Sequence, residues 1–372
     1  MKLMTHNIWK ALAASVMLVV ASACLVVSPV WAANARINRV QSGTASFTTT
    51  TTDVTITSVD LTKAVLFFSY RVNNNTPAQI MVKGQISSAT NVHFERVTGG
   101  ATVDIAWYVA EFHSGVTVQR AANTHASATT NVTITAVTLA QAFPVFSYMN
   151  DGSTWGNDDQ VTAQLTSTTN LQLVAAAALN TVNALEWQVA DYRGATVETG
   201  TTTLNAGSAS TTQAITSVDL TRSIVMAEYT SPGNLLTDSA GVVTKFNSAT
   251  QLNFQRTGTV NALTIRWKVV QFPLGVHVQS GEESFTNAET QRNVTITAVD
   301  LTKTIAIIGM HQRSGRTPDT GDDNPAATWF TAQLTSSTNL QLDRAAHGSD
   351  TGAVGWFVVE FQRRRAIMVD DP

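Results

Sequence analysis

Cysteine is almost missing from this 372-residue chain: Cys24 is the only one, and it lies in an apolar stretch near the N-terminus. A chain with one cysteine has no disulfide framework and no Cys-rich metal or redox motif. Charge is scarce too, at 13% Asp, Glu, Lys and Arg, with a net charge of -3 and a pI near 6.2. No basic field exists to hold phosphates, which sets a nucleic-acid partner aside. Catalytic signatures are absent as well. His93, His113, His125, His277, His311 and His347 are scattered without metal-ligand spacing, and no Gly-x-Ser-x-Gly elbow occurs.

What the chain does have is threonine, about 15% of all residues, within a 44% hydrophobic composition. β-Branched side chains suit a pleated, half-buried surface better than a helix, so the composition already favours an all-β protein with real cores. The N-terminus carries Lys2 and Lys10, an apolar run from Ala11 to Val30, and small residues around Ala32. Residues 1–32 read as a secretory signal. Two alternatives are an uncleaved membrane anchor and lipid attachment at Cys24, after Ala21-Ser22-Ala23. If the signal is cleaved, the mature chain has no membrane span. The expected location is outside the cytoplasm: extracellular, at the cell surface, or periplasmic.

Behind this segment one unit recurs four times. Trp107, Trp187, Trp267 and Trp356 stand in the matching contexts Trp-Tyr-Val-Ala-Glu-Phe, Trp-Gln-Val-Ala-Asp-Tyr, Trp-Lys-Val-Val-Gln-Phe and Trp-Phe-Val-Val-Glu-Phe. A second landmark keeps step with them: Ile56-Thr57-Ser58-Val59-Asp60-Leu61, then the segments beginning at Ile134, Ile215 and Ile296. A third, Gln85-Ile86-Ser87-Ser88-Ala89-Thr90, returns at Gln164, Lys245 and Gln333. Three landmarks in one register define tandem copies at 33–114, 115–195, 196–274 and 275–362, with a tail at 363–372. The copies also alternate. The first and third are followed by related Gly-Val-x-Val-Gln segments, while the second and fourth share Thr-Ala-Gln-Leu-Thr-Ser behind an acidic loop. This pattern suggests two pairs. Linkers of a few residues, such as Arg193-Gly194-Ala195, predict a stiff row or a compact paired assembly.

Within the first copy, alternation and turn residues predict strands at 39–48, 53–59, 63–71, 78–87, 91–97 and 102–112. The fold class expected is a tandem array of four antiparallel β-sandwich repeats of about 80 residues. In the third copy Leu263, Ile265, Trp267 and Val269 share one parity, opposite to Thr264, Arg266 and Lys268, which puts the repeated Trp in the core. Phe112, Tyr192, Phe272 and Phe361 fall on the other parity and predict a bulge or sheet switch after each Trp. Pro144 marks its strand as an edge or as bulged.

Six strands, a paired motif before the third strand and a terminal Trp-x-Val segment make the unit resemble H-type lectin sandwiches and similar repeats of bacterial and phage surface proteins. The resemblance covers nearly the whole mature chain, once per copy. It implies a non-enzymatic module that associates into oligomers and holds glycans at loop ends.

Aromatic rings are sugar-stacking platforms, but the four repeated Trp residues alternate with Ile and Val as core residues do. Trp155 and Trp329 are the better ligand candidates. They sit near the variable loop between the third and fourth strands, close to the pairs Asp158-Asp159 and Asp322-Asp323. Those carboxylates, with Asp319, are also the candidates for Ca²⁺, which wants six to eight oxygens; the competing reading is ordinary turn chemistry. No acid is common to all four copies: Asp60, Asp219 and Asp300 give way to Thr138, and Glu111 and Glu360 to Asp191 and Gln271. That tolerance argues against a paired-carboxylate glycosidase. The leading expectation is adhesion or glycan binding at the cell surface, with homo-oligomers or surface proteins as further partners. A purely structural subunit of an extracellular layer or filament is the second reading, and a glycan-active enzyme with a site between copies the third.

Overall fold

Alternating Thr, Val and Ile become short strands, and turn residues end them. The structure, a computed structural model, describes residues 35–177, 184–233, 241–308, 313–314, 325–346 and 351–361. In the first copy β1 (Arg36–Phe47), β2 (Thr51–Thr55), β3 (Ala64–Val72), β4 (Lys83–Ser88), β5 (Asn91–Glu95) and β6 (Val103–Ser114) form two antiparallel sheets, ordered β1-β6-β3 and β2-β5-β4. The second strand ends at Thr55 rather than 59, because Ile56 and Val59 donate their N–H groups to Thr90 and Ala89 and turn the chain into the other sheet. The fourth strand starts at Lys83 rather than 78, because Pro77 opens one helical turn, α1 (Pro77–Ile80).

The same two sheets recur. The second copy has β7 (Val116–Thr124), β8 (Thr129–Thr133), β9 (Ala142–Tyr148), β10 (Val161–Ser167), β11 (Asn170–Ala175) and β12 (Ala184–Tyr192). The third has β13 (Thr196–Leu204), β14 (Ser210–Ala214), β15 (Ser223–Thr230), β16 (Val243–Ser248), β17 (Gln251–Gln255) and β18 (Leu263–Gln271). The fourth has β19 (His277–Phe285), β20 (Gln291–Thr295), β21 (Thr304–Ile308), β22 (Arg313–Ser314), β23 (Phe330–Ser336), β24 (Asn339–Arg344) and β25 (Gly352–Glu360). The protein is thus an all-β tandem array of sheet pairs. Pro144 lies in β9, an edge strand, where a missing N–H costs no ladder bond.

Each repeated Trp is buried between its two sheets. Gly43, Gly200 and Gly281 stand directly across from Trp107, Trp267 and Trp356 on the first strand of each copy. A Cβ at these positions would come within 2.7, 2.2 and 2.7 Å of the indole Cζ2, so the glycines leave room for the ring. The second copy has Ala121 opposite Trp187, and there the indole N–H donates to Asn123 Oδ1 at 2.6 Å.

The parity change after each Trp is not a bulge. The registers of β12, β18 and β25 run on without a shift, and the two shifts in the first copy skip Asn38 of β1 and His113 of β6, so β6 itself is regular from Val103 through Phe112. The sheet carrying the Trp is buried on both faces, so both parities are apolar: Trp faces the sandwich, and Phe112, Tyr192, Phe272 and Phe361 face the neighbouring copies. These four rings meet in one closed circuit. Their centroids lie 5.3, 5.3, 5.9 and 5.2 Å apart in the order Phe112, Tyr192, Phe272, Phe361 and back to Phe112, all edge to face.

The copies therefore close into a ring. The free edge of β4 meets the second copy, where Gly84 N–H donates to Ser147 Oγ at 2.9 Å. At the equivalent point of β23, Ala332 N–H donates to Ser69 Oγ of the first copy, also at 2.9 Å. Tyr108 O–H donates to Ala332 O at 3.1 Å and its oxygen accepts from Leu334 N–H at 2.9 Å, which joins the last copy to the first. A row would leave an apolar sheet face bare at one end and an unpaired strand edge at the other; closure covers both. Of the two layouts expected from the linkers, the compact one is observed, with four members in a circle.

Candidate functional site

The third strands, β3, β9, β15 and β21, all present residues to the centre of the ring, and β9, β15 and β3 lie beside the fourth strands β4, β10 and β23 of the preceding copies. The third strands begin beside the four-ring aromatic cluster, since Phe112 and Phe361 donate their N–H groups to Lys63 O and Lys303 O. They end at the long loops that vary most between copies. Between them lies a cavity of about 180 Å³, lined by Leu66, Phe68, Tyr70, Phe146, Tyr148, Met226, Ile307 and Trp329 among others. All four copies contribute to its wall.

Above the cavity the described parts of the variable loops touch one another. Ala78 N–H of the first copy donates to Gly152 O of the second at 3.0 Å, and Asn157 Nδ2 donates to Pro232 O of the third at 3.5 Å. Trp155 of the second copy packs edge to face on Trp329 of the fourth at 6.1 Å, and Trp329 on Tyr70 of the first at 5.2 Å. The two sequence-chosen tryptophans are thus brought together from different copies, although 174 positions separate them in number. Both are buried, at 7% and 6% exposure, so they pin the loops to each other instead of offering open faces to solvent. Trp155 Nε1 completes no hydrogen bond.

The acidic loop of the second copy is folded around Asp159, which is 1% exposed. Its Oδ1 accepts from Asn150 Nδ2, and its Oδ2 accepts from Gly156 N–H at 2.5 Å. Tyr148, from the cavity wall, donates to Asp159 O at 3.1 Å, which ties this loop to the strand beneath. Asp158 is half-buried at the same turn. Among the described residues no group of three or more His, Cys, Asp or Glu side chains is gathered as a metal site. Asp319, Asp322 and Asp323 lie outside the described residues.

Burial pushes the Asp159 carboxyl up to about 7, and the charges of Asp158 and Asp151 act the same way against the bonds from Gly156 and Asn150. The folded protein then holds a proton there that the unfolded chain releases near pH 3.9. The stabilising contribution is complete below that value and is lost as pH rises through about 7. Replacing Asp159 by Asn should cost stability at pH 5, where one acceptor is lost, and should gain on the parent as the pH is raised to 8. Thermal unfolding of both proteins across that range checks this; a constant difference between them would show that Asp159 does not titrate.

Two features escaped the sequence reading. Arg96, Arg256 and Arg344 stand at the end of the fifth strand in three copies and are fully buried. Their guanidinium groups donate to hairpin carbonyls, as Arg344 does to Glu289 O at 2.8 Å and Thr286 O at 2.8 Å. The signal was present as Glu-Arg, Gln-Arg and Asp-Arg at one repeat position. The second feature is the residue after each Trp, which faces the preceding copy with a different chemistry each time. Tyr108 bonds backbone; Gln188 exchanges bonds with Leu66 N–H and O at 2.9 and 3.0 Å. Lys268, ion-paired at 2.5 Å with Glu228 of its own copy, holds its ammonium 5.8 Å from the Phe146 ring of the second copy, and Phe357 meets Phe246 edge to face at 6.2 Å. A position that is Tyr, Gln, Lys and Phe carries no motif.

Comparison with protein-family models and with curated proteins finds no match to the chain. Among the described residues no helix is long and apolar enough to cross a membrane.

Proposed function

We propose that the protein is an exported, non-enzymatic binding module of the cell surface, extracellular space or periplasm, which engages glycans or other surface molecules through the composite face built by its variable loops. The observation that carries this reading is the meeting of loops from all four copies on one side of the ring, with Trp155 against Trp329 and Ala78 against Gly152. Loops on a rigid sheet scaffold can vary without disturbing the core, which is where specificity is usually built. The N-terminal signal pattern and the resemblance to H-type lectin sandwiches support the same reading. A single composite face replaces the repeated, multivalent display that a row would have offered.

The test is a broad glycan array probed with the purified protein, with and without Ca²⁺, alongside light scattering. Saturable binding is expected, weakened at least about tenfold in Trp155→Ala or Trp329→Ala variants that keep the parent's circular dichroism, since the loop face loses its central contact. A second reading, a structural subunit, is favoured by the opposite end of the ring. There Leu139, Leu220 and Leu301 are partly exposed at one repeat position, and Leu274 in a linker is 75% exposed. No glycan bound, together with concentration-dependent assembly that Leu274→Ser abolishes, would establish that reading instead.

A further inference from the structure

The joints of the ring follow one plan, so a group present at one joint and missing at the next is informative. Between the first and second copies, Arg120 of β7 reaches the free edge of the first copy. Its Nη2 donates to Leu61 O at 2.6 Å and to Ala64 O at 2.5 Å, while Gln188 takes up Leu66 N–H and O alongside. The registers carry each of these positions to the joint between the second and third copies. Ala121 and Gly200 stand across from Trp187 and Trp267, so Thr199 holds the place of Arg120, Lys268 that of Gln188 and Arg266 that of Glu186. Phe68 and Phe146 stand across from Trp107 and Trp187, so Ala142 and Pro144 correspond to Ala64 and Leu66, and Leu139 to Leu61. Thr199 is too short to repeat the reach of Arg120, and Lys268 turns its ammonium to Glu228. Where Arg120 fills the first joint, this one holds a cavity of about 190 Å³, lined by Leu139, Ala142, Pro144, Thr199, Arg266 and Lys268 among others. Ala142 lies on the open edge of β9, and among the described residues no group donates to Leu139 O or Ala142 O. A carbonyl at such an edge calls for a donor from elsewhere.

We infer that this cavity binds an uncharged polyol, a sugar ring or a short linear polyol, whose hydroxyl groups donate to Leu139 O and Ala142 O and accept from Arg266. Arg120 shows at the first joint that one donor in this place meets both carbonyls. There the Glu186 carboxylate supports the guanidinium charge. Here Arg266 stands in place of that acid, so a cationic donor is repelled. An anion would meet the carbonyl oxygens with nothing to donate. A hydroxyl is donor and acceptor at once, so it serves the carbonyls and the guanidinium together. Thr199 suits the same ligand: its Oγ1 accepts from Gln164 Nε2 at 3.4 Å, which leaves its proton for a ligand oxygen. Arg266 is held at the wall by Gln172, whose Oε1 accepts from Nη2 at 3.1 Å. The size agrees, since a cavity of roughly 150 Å³ admits a six-membered ring and this one is about 190 Å³. The inference does not rest on what the loop face contacts, because Leu139 belongs to the opposite end of the ring.

Calorimetry and NMR titration of the full protein with glucose, galactose, glycerol, guanidinium chloride and sodium acetate test it. At least one of the three polyols should bind saturably, and about tenfold or more tightly than either ion, the effect of one well-met hydrogen bond. A sugar preferred over glycerol identifies a glycan unit as the natural ligand, and the reverse a glycerol-type polyol. In the parent, the amide signals that move should include Ala140, Ala142 and Thr199. Thr199→Arg combined with Arg266→Glu copies the pairing of Arg120 with Glu186 at the first joint, fills the cavity and caps both carbonyls. That double variant should lose polyol binding while keeping the parent's circular dichroism. No saturable binding of any polyol to the folded parent overturns the proposal, and guanidinium binding as tightly as the best polyol overturns the ligand class. Binding that moves only loop signals in the parent, or that Trp155→Ala removes and the double variant leaves untouched, belongs to the loop face and overturns this site.

Discussion

Lys268→Met will lower the stability of the protein by about 3–5 kcal/mol at pH 8, because it leaves Glu228 as a buried carboxylate without its partner. The pair is shielded, with side-chain exposures of 3% and 4%, and Lys268 Nζ also lies 5.8 Å from the Phe146 ring of the preceding copy. Burial already pushes the Glu228 carboxyl up, and the Lys268 charge is the main influence holding it down. Without the lysine, Glu228 should take up a proton on folding. The sign follows from that uptake: a carboxyl raised in the folded state contributes most below its unfolded value and loses that contribution as pH rises. The defect should therefore be smaller at pH 5 than at pH 8, and Glu228→Gln added to Lys268→Met should recover part of it. Chemical denaturation at the two pH values decides the matter. A single variant as stable as the parent at pH 8 would mean that the pair is solvated.

The second large effect concerns ring closure. Phe112→Ala and Phe361→Ala should each cost about 3–5 kcal/mol, as loss of a buried aromatic does. Phe112 and Phe361 touch edge to face at 5.2 Å although they belong to the first and last copies. A double-mutant cycle should then return a coupling of about 0.5–1.5 kcal/mol, the range for an aromatic pair in contact. In an open row the two residues would be far apart and their effects would add. Measured additivity would break the ring at that joint, so the cycle reports the architecture and not merely the size of the core.

These two experiments fall where sequence and structure diverge. The alternation through Leu263, Ile265 and Trp267 was readable because one sheet face is a local property, decided by neighbours two residues away. The same holds for the turn residue shared by Asp60, Asp219 and Asp300. In each, Oδ1 accepts from the backbone N–H two positions on, at 2.9–3.0 Å, and Thr138 stands in the fourth place. The other face of the same strands was misread as a bulge, because Phe112 and Tyr192 make sense on the opposite parity only when a second copy covers them. Trp155 and Trp329 stand out in the sequence because they lie outside the repeated pattern. That they would pack on each other was not visible, since their contact spans the ring.

The sequence by itself determined the all-β character, the four copies, the six strands of the first copy and the Trp at every sandwich core, because all of these follow from short-range periodicity, turn chemistry and repetition. Only the tertiary structure decided that the copies form a circle, that the variable loops share one face, and that one cavity is lined by the third strands of all four copies. The physical reason is that the joints between copies are made by residues far apart in the chain and different in chemistry at each joint, Tyr108, Gln188, Lys268 and Phe357, so no repeated pattern announces them.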